Sequence, residues 1–314
     1  MMSEPGRVKR YIRSQWFRYT LLVVGCLLLL SPFLVIPQLF QNDDLCGKMC
    51  MRRFYLFYPG MDWEMLAEQM RVAAIGVGAM VSILTVTFFF GRLWCGYLCP
   101  MGGFPELVSR AISDRWKIEY RSLPQVPIRY GYFLTFVALM PAVGISACTL
   151  CNFITVPRIF EALGGGLRGT AFLGSTIGAV NLGLVVLLGF FAKWGRGYCQ
   201  FLCPVGAIDA VVNRLGAKLS FVRRVRVARK HCTGCRECAE VCVAGAIRME
   251  HRIAVVDQWS CLACRECVTV CEWGAIDWLP LPSSKKPTRV KKGVEIAPQP
   301  VWTSVAHRAG RKSK

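Results

Sequence analysis

The sequence predicts an α-helical membrane protein, four transmembrane helices in two parallel hairpin repeats, with a small α+β domain toward its C-terminal end. Three observations predict it. Hydrophobic residues make up 54% of the 314, more than a soluble pair of domains uses. Four apolar runs, residues 20–40, 72–90, 130–147 and 173–192, hold no charged residue, and each has about the length a helix needs to cross ~30 Å of hydrocarbon. Eight of the seventeen cysteines fall into two copies of one spacing between 232 and 271, a density that reads as metal ligation.

Within the runs, Pro32, Pro37 and Pro141 would kink helices, which membrane bundles tolerate. Val23-Val24-Gly25-Cys26 has the look of a processing site. The apolar run continues well past it, however, so the segment reads as a retained span, with Cys26 as a small apolar side chain inside it.

A net charge of +20 would point to nucleic acid in a soluble protein; its placement points elsewhere. Arg7, Lys9, Arg10, Arg13 and Arg18 precede the first run, and Arg92, Arg110, Arg115, Lys117 and Arg121 follow the second. Lys193, Arg196, Arg214 and the basic stretch 223–230 follow the fourth, whereas Asp43, Asp44, Asp62, Glu64 and Glu68 follow the first. The positive-inside rule then puts both ends and the cysteine-rich domain on the cytoplasmic side of a bacterial inner membrane. Residues 1–18 form a basic arm on anionic lipid, 19–215 the membrane domain, 216–282 the cysteine-rich domain and 283–314 a basic, disordered tail. No nucleic-acid partner is expected.

Cys232, Cys235, Cys238 and Cys242 read C-x2-C-x2-C-x3-C, and Cys261, Cys264, Cys267 and Cys271 repeat it. Three thiolates two residues apart wrap one cubane cluster while the fourth ligates its neighbour. Cys232, Cys235, Cys238 and Cys271 are therefore assigned to one [4Fe–4S] centre, and Cys261, Cys264, Cys267 and Cys242 to a second. Structural zinc is the alternative, although zinc modules separate their C-x2-C knuckles by a longer loop. The block resembles bacterial two-cluster ferredoxins, with Val243 and Glu272 where that family has proline.

A shift of 104 residues lays Arg92 on Arg196, Cys95 on Cys199, Cys99 on Cys203, Pro100 on Pro204, Gly102 on Gly206 and Arg110 on Arg214. The membrane domain thus reads as an internal repeat. Two C-x3-C-P half-motifs can supply one ligand set, which predicts a third [4Fe–4S] centre on Cys95, Cys99, Cys199 and Cys203 at the cytoplasmic membrane surface; redox-active or structural thiols are the alternative. Cys46, Cys50, Cys148 and Cys151 fall at equivalent points of the repeats on the outer side, where a fourth cluster competes with disulfides.

The three histidines, His231, His251 and His307, lie outside every run, so no histidine-ligated haem b is expected in this chain. Gly164-x-Gly166-x-x-Gly169 matches a dinucleotide fingerprint by letter and is rejected because no strand precedes it.

Four spans, two C-x3-C-P elements and a C-terminal α+β two-cluster ferredoxin domain, over about residues 15–280, together resemble the NapH family of membrane iron–sulfur proteins. They are also similar to the membrane parts of NosR and of CcoG/FixG proteins. The resemblance implies an electron-transfer subunit of quinol dehydrogenase type. It would move electrons between the quinone pool or a cytoplasmic donor and another redox subunit, such as an iron–sulfur protein, cytochrome c or a reductase. The outer pairs Cys46/Cys50 and Cys148/Cys151 are not part of the NapH pattern and point to conduction across the bilayer. One alternative is a maturation factor that reduces or delivers copper, since thiolate pairs suit Cu(I). Another is a membrane anchor whose ferredoxin domain docks a soluble enzyme.

Overall fold

The computed structural model describes residues 5–30, 62–72, 74–120, 123–142, 151–219 and 221–279. Cys46, Cys50, Cys148, Pro32, Pro37 and the tail 283–314 lie outside the described residues.

Helix α1 (Pro5–Leu29) carries residues 20–29 of the first apolar run and extends back through the basic arm without a break. Helices α2 (Trp63–Val72) and α3 (Ala74–Phe90) follow, the second apolar on every side. Beyond Gly91, whose φ of +92° makes the turn, a π-helical turn (Trp94–Leu98) leads into α4 (Pro100–Ala111). Helix α5 (Gln125–Leu134) continues through a π turn (Thr135–Leu139) to Ala142. Then come α6 (Asn152–Leu163), α7 (Leu167–Gly174) and α8 (Thr176–Val185), which ends in another π turn (Val186–Phe190). Helices α9 (Gly197–Phe201) and α10 (Pro204–Gly216) close the second repeat.

Both repeats build their cysteine turn by the same local rule. A residue before proline is pushed toward extended backbone, and proline suits the first helical position. Cys99 and Cys203 accordingly sit extended, at ψ 113° and 112°, as the caps of α4 and α10.

The four apolar runs are realised less simply than their lengths predict. Among the described residues no single helix is both long and apolar enough to cross a membrane; the bent pair α7 with Thr176–Phe190 meets the length and composition together. The fourth run breaks by 89° at Ser175, whose hydroxyl accepts from Gly178 N and so starts a new helix. The connection after the third run is not an open loop either. Helix α6 packs on α4, with Asn152 Nδ2 donating to Met101 O over 3.2 Å and Val156 clustered with Cys99 and Met101. Its Gly164-Gly166-Gly169 end joins two helices, with no strand before it.

The C-terminal part is two copies of strand, turn, short helix and strand, related by a shift of 29 residues. Copy one has β1 (Arg224–Val227), α11 (Glu237–Glu240) and β2 (Ile247–Glu250); copy two has β3 (Ile253–Val256), α12 (Glu266–Val270) and β4 (Ile276–Leu279). β1 pairs with β4 and β2 with β3, both antiparallel, so exchanging the copies maps one pair onto the other. The same three positions in each copy turn left-handed: Gly234, Arg236 and Gly245, then Ala263, Arg265 and Gly274. Non-glycine residues there are strained, which is tolerated where surrounding structure over-determines the turn.

Both copies are bolted to the helical repeats, largely through backbone acceptors. Tyr97 Oη donates to Cys264 O over 3.2 Å, Arg129 Nη1 to Trp259 O over 2.9 Å and Gln200 Nε2 to Val243 O over 2.9 Å. Arg224 from β1 donates to Thr87 O, Phe88 O and Phe89 O at 2.9–3.1 Å. It thereby helps satisfy the carbonyls at the apolar end of α3, where Thr87 O also accepts from Gly91 N at 3.0 Å.

Gly96 marks a close approach of the C-terminal part to the repeats, since a Cβ there would lie 2.5 Å from Leu262 O. Gly96→Ala is expected to cost about 1–3 kcal/mol by overpacking and to lower the thermal midpoint of the detergent-solubilised protein. Gly78→Ala, with nothing within 4 Å of its new methyl, should not lower it.

Candidate metal centres

The thiols of the C-terminal part gather in two groups that draw on both motifs. Burial, then Cys235, Cys271 and Cys232, push the Cys238 thiol up to about 12. Burial raises Cys267 too, followed by Cys264, Cys242 and Cys261. Cys242 thus lies beside the thiols of the second motif and Cys271 beside those of the first. Backbone amides supply the usual second layer: Ala246 N donates to Cys242 Sγ at 3.2 Å and Ala254 N to Cys232 Sγ at 3.4 Å. Hydrogen bonds to sulfur stabilise thiolates and tune a bound centre.

The helical repeats bring Cys95, Cys99, Cys199 and Cys203 together. Burial, then the neighbouring Cys199, push Cys99 up to about 11. Cys203 is raised by burial, then by Cys199, and also feels Cys99 and Cys151. Gly206 N donates to Cys203 Sγ over 3.3 Å. Cys151, expected on the outer side, caps α6 beside Phe136 and is drawn toward Cys203 by the packing of that helix. Cys26 packs near Cys99, Leu30 and Val156. Cys95 packs against the apolar core that holds Cys242, Cys264 and Cys267, so the membrane set adjoins the second ferredoxin set.

Among the described residues no three Cys, His, Asp or Glu side chains converge on a single ion. A mononuclear zinc site draws its sulfurs to ~2.3 Å from one point, whereas a cubane spaces them across a larger body. Crowded, buried thiols with amide donors are a donor set that fits [4Fe–4S] clusters.

The composition gave no sign of the charged lattice beside these thiols. Glu106 on α4, fully buried, is bonded by Arg18 Nη2 and Arg196 Nε, each at 2.7 Å, and by Arg110 at 3.2 Å. Glu266 in copy two is bonded by Arg18 and by Arg110, the latter at 2.8 Å. Arg18 also donates to Gly96 O, and Arg196 to Cys95 O. Arg92 pairs with Asp209 on α10 at 2.8 Å, and that carboxylate oxygen lies 3.4 Å from Cys95 Sγ. Arg18, read from sequence as part of an arm on lipid, is instead 1% exposed. It turns inward because two buried carboxylates face it and would otherwise be unpaired. One signal was there to find: Glu106 and Asp209 are the only acids in helices α4 and α10.

Comparison with known proteins follows the same geometry. Residues 72–119 and 176–222 match a 4Fe-4S binding domain family, each segment holding one C-x3-C-P element, and residues 231–275 match a 4Fe-4S dicluster domain family. The chain is 26% identical over 214 residues to an uncharacterised protein of Methanocaldococcus jannaschii, covering 68% of this chain and 76% of that one. It is 25% identical over 231 residues to the ferredoxin-type protein NapH of Haemophilus influenzae, covering 72% and 73%. With the methylamine utilization ferredoxin-type protein MauN of Methylorubrum extorquens it shares 28% over 170 residues, covering 53% of this chain and 54% of MauN.

Burial opposes the charge of Glu106, yet Arg18, Arg196 and Arg110 outweigh it and hold the carboxyl at about 2, below the ordinary 4.5. A folded pKa below the unfolded one gives stability that is full above about pH 4.5 and is lost as pH falls toward 2. Glu106→Gln is expected to cost about 3–5 kcal/mol, because arginines stay buried against a neutral amide. Chemical denaturation should show that loss near neutral pH and a flatter acid limb for the variant.

Proposed function

Since the chain is related to the NapH-type iron–sulfur proteins and, with them, to FixG and NosR, we propose that it is a membrane electron-transfer subunit. It would work between a redox partner at the ferredoxin domain and the quinone pool or a further redox protein at the membrane repeats. The observation that carries this reading is continuity: Cys95 and Trp194 pack on the core that contains the second ferredoxin set, so three thiol sets follow one another through one buried body. The sets are Cys232, Cys235, Cys238 and Cys271; Cys261, Cys264, Cys267 and Cys242; and Cys95, Cys99, Cys199 and Cys203. A [4Fe–4S] cluster, when bound, takes up or releases one electron at a potential set by charge, hydrogen bonds and exposure.

This chain's own residues support that task in three ways. Arg92 and Arg196, each buried, bring positive charge beside the membrane set, where four thiolates around iron would leave an anionic centre in a medium that screens it poorly. Amide donors hold sulfur in place. Apolar side chains exclude water.

Support for the membrane and the quinone is of a different kind. Val81 on α3, Leu134 and Leu139 along α5 with its π turn, and Val180 on α8 are exposed, as a lipid-facing surface requires. A cavity of about 560 Å³ between α1 and α3 is walled by Leu29, Ile83, Trp94, Leu98, Pro100 and Phe153. It borders the Cys99-Pro100 turn and suits a ring with an apolar tail. The cytoplasmic placement of the ferredoxin domain follows from the positive-inside charge pattern.

Iron analysis tests the reading. Three four-iron sets give about twelve irons per chain, and Cys99→Ser with Cys203→Ser should lower that to about eight while the two ferredoxin signals in electron paramagnetic resonance persist. A count near sixteen would add a set on Cys46, Cys50, Cys148 and Cys151. Copper together with only eight irons would favour the copper-handling alternative, and iron unchanged in the double variant would sink the shared set.

A further inference from the structure

The two copies of the ferredoxin domain carry one backbone surface twice, and use it in opposite ways. In copy two the segment around Gln258, Trp259 and the ligand loop Cys261 to Arg265 lies against the membrane repeats. Asn213 Nδ2 donates to Gln258 O at 2.5 Å, Arg129 to Trp259 O at 2.9 Å, and Tyr97 to Cys264 O, while Arg265 Nε donates back to Tyr97 Oη at 3.0 Å. Twenty-nine positions earlier the counterparts of Gln258, Trp259, Cys264 and Arg265 are Arg229, Lys230, Cys235 and Arg236. All four of these are exposed, and Cys235 is the one cysteine classed as exposed among the described residues. Arg248, also exposed, stands where copy two has Asp277. The exchange of strand pairs that relates the copies turns this counterpart face away from the membrane repeats.

We propose that this face, with Arg229, Lys230, Arg236 and Arg248 around Cys235, is the docking surface for an acidic soluble protein that carries a one-electron redox centre. The inference rests on the electron-transfer reading above. Copy two meets a permanent neighbour through backbone acceptors, Arg265 and the ion-paired Glu266. Copy one keeps the arginine as Arg236 and has cations where copy two has Gln258, Trp259 and Asp277, although the acids Glu240 and Glu250 are also exposed. Charge at a small exposed patch speeds encounter and leaves the complex easy to dissolve, which suits a partner that must arrive, exchange and depart. An exposed ligand thiol gives such a partner the short approach that buried Cys238, Cys242, Cys264 and Cys267 do not.

The test uses the full chain in neutral nanodiscs, with an acidic [2Fe–2S] ferredoxin as probe and binding followed by interferometry. At about 20 mM NaCl, where charges are little screened, the triple variant R229E/K230E/R248D should raise the dissociation constant about tenfold or more. The gap should close near about 200 mM NaCl, and R168E, an exposed change on α7, should leave the wild-type value. Iron per chain on the same preparations separates the two readings: low iron in the wild type counts against the electron-transfer reading, whereas normal iron with equal affinity of wild type and triple variant overturns the docking face. A variant that loses only co-purifying phosphatidylglycerol, with ferredoxin affinity unchanged, also overturns it in favour of a lipid contact.

Discussion

The structure depends on a knot of charge buried where four pieces of chain meet. Arg18 comes from α1, Glu106 and Arg110 from the first repeat, Arg196 from the second, and Glu266 from copy two of the ferredoxin domain. Burying even one of these ions alone would cost several kcal/mol, so each is tolerable only when the others are in place. The knot therefore works as a registration device: mutual position is fixed by the requirement that no charge be left over. Arginine suits this better than lysine, because its rigid fork binds carboxylates and backbone carbonyls at once, as Arg18 and Arg196 both do.

That registration has a chemical consequence. The knot touches the backbone of Gly96 and Cys95 on one side and carries Glu266, the residue before Cys267, on the other. The same ion pairs that bind the ferredoxin domain to the repeats thus set how the thiols of the repeats face those of the second ferredoxin motif. Rate of electron transfer depends steeply on such spacing, so a rigid polar joint is more useful here than the looser interface that independent domains usually share.

Much of this was legible in the chain, and the parts that were not share a cause. The nearness of Cys242 to the second motif and of Cys271 to the first follows the spacing, because such spacing is a local code. The turn geometry at Cys99 and Cys203 could be read because proline acts on its neighbour. Arg18 was misplaced because a charge run ahead of an apolar run reads as surface, and only the distant Glu266, 248 positions on, makes it interior. The bend at Ser175 escaped because Gly174-Ser175-Thr176 lies inside a run whose hydropathy averages over it, while a hydroxyl cap acts on a single amide. Cys151 was placed by topology alone, and the return of α6 onto α4 depends on Asn152 finding Met101 O, a contact no pattern announces.

The repeat explains why these long-range terms matter so much. Each half supplies two thiols and, three residues before the first of them, a buried arginine, and neither half gathers all four thiols alone. Arg92 of the first half finds its carboxylate, Asp209, on the helix after the second half's cysteine turn, while Arg196 of the second finds Glu106 after the first half's. The exchange is reciprocal, although the two acids do not occupy strictly equivalent positions: Glu106 stands six residues after its proline and Asp209 five. A free half would hold an unpaired arginine in an apolar setting and an open pair of thiols. Joining the halves satisfies both defects in one step, so the four gathered thiols and the charges that surround them form together or not at all. Gathering of the thiols and burial of the arginines are in that sense one event, and the four-thiol centre is a property of the joined repeats that neither hairpin possesses.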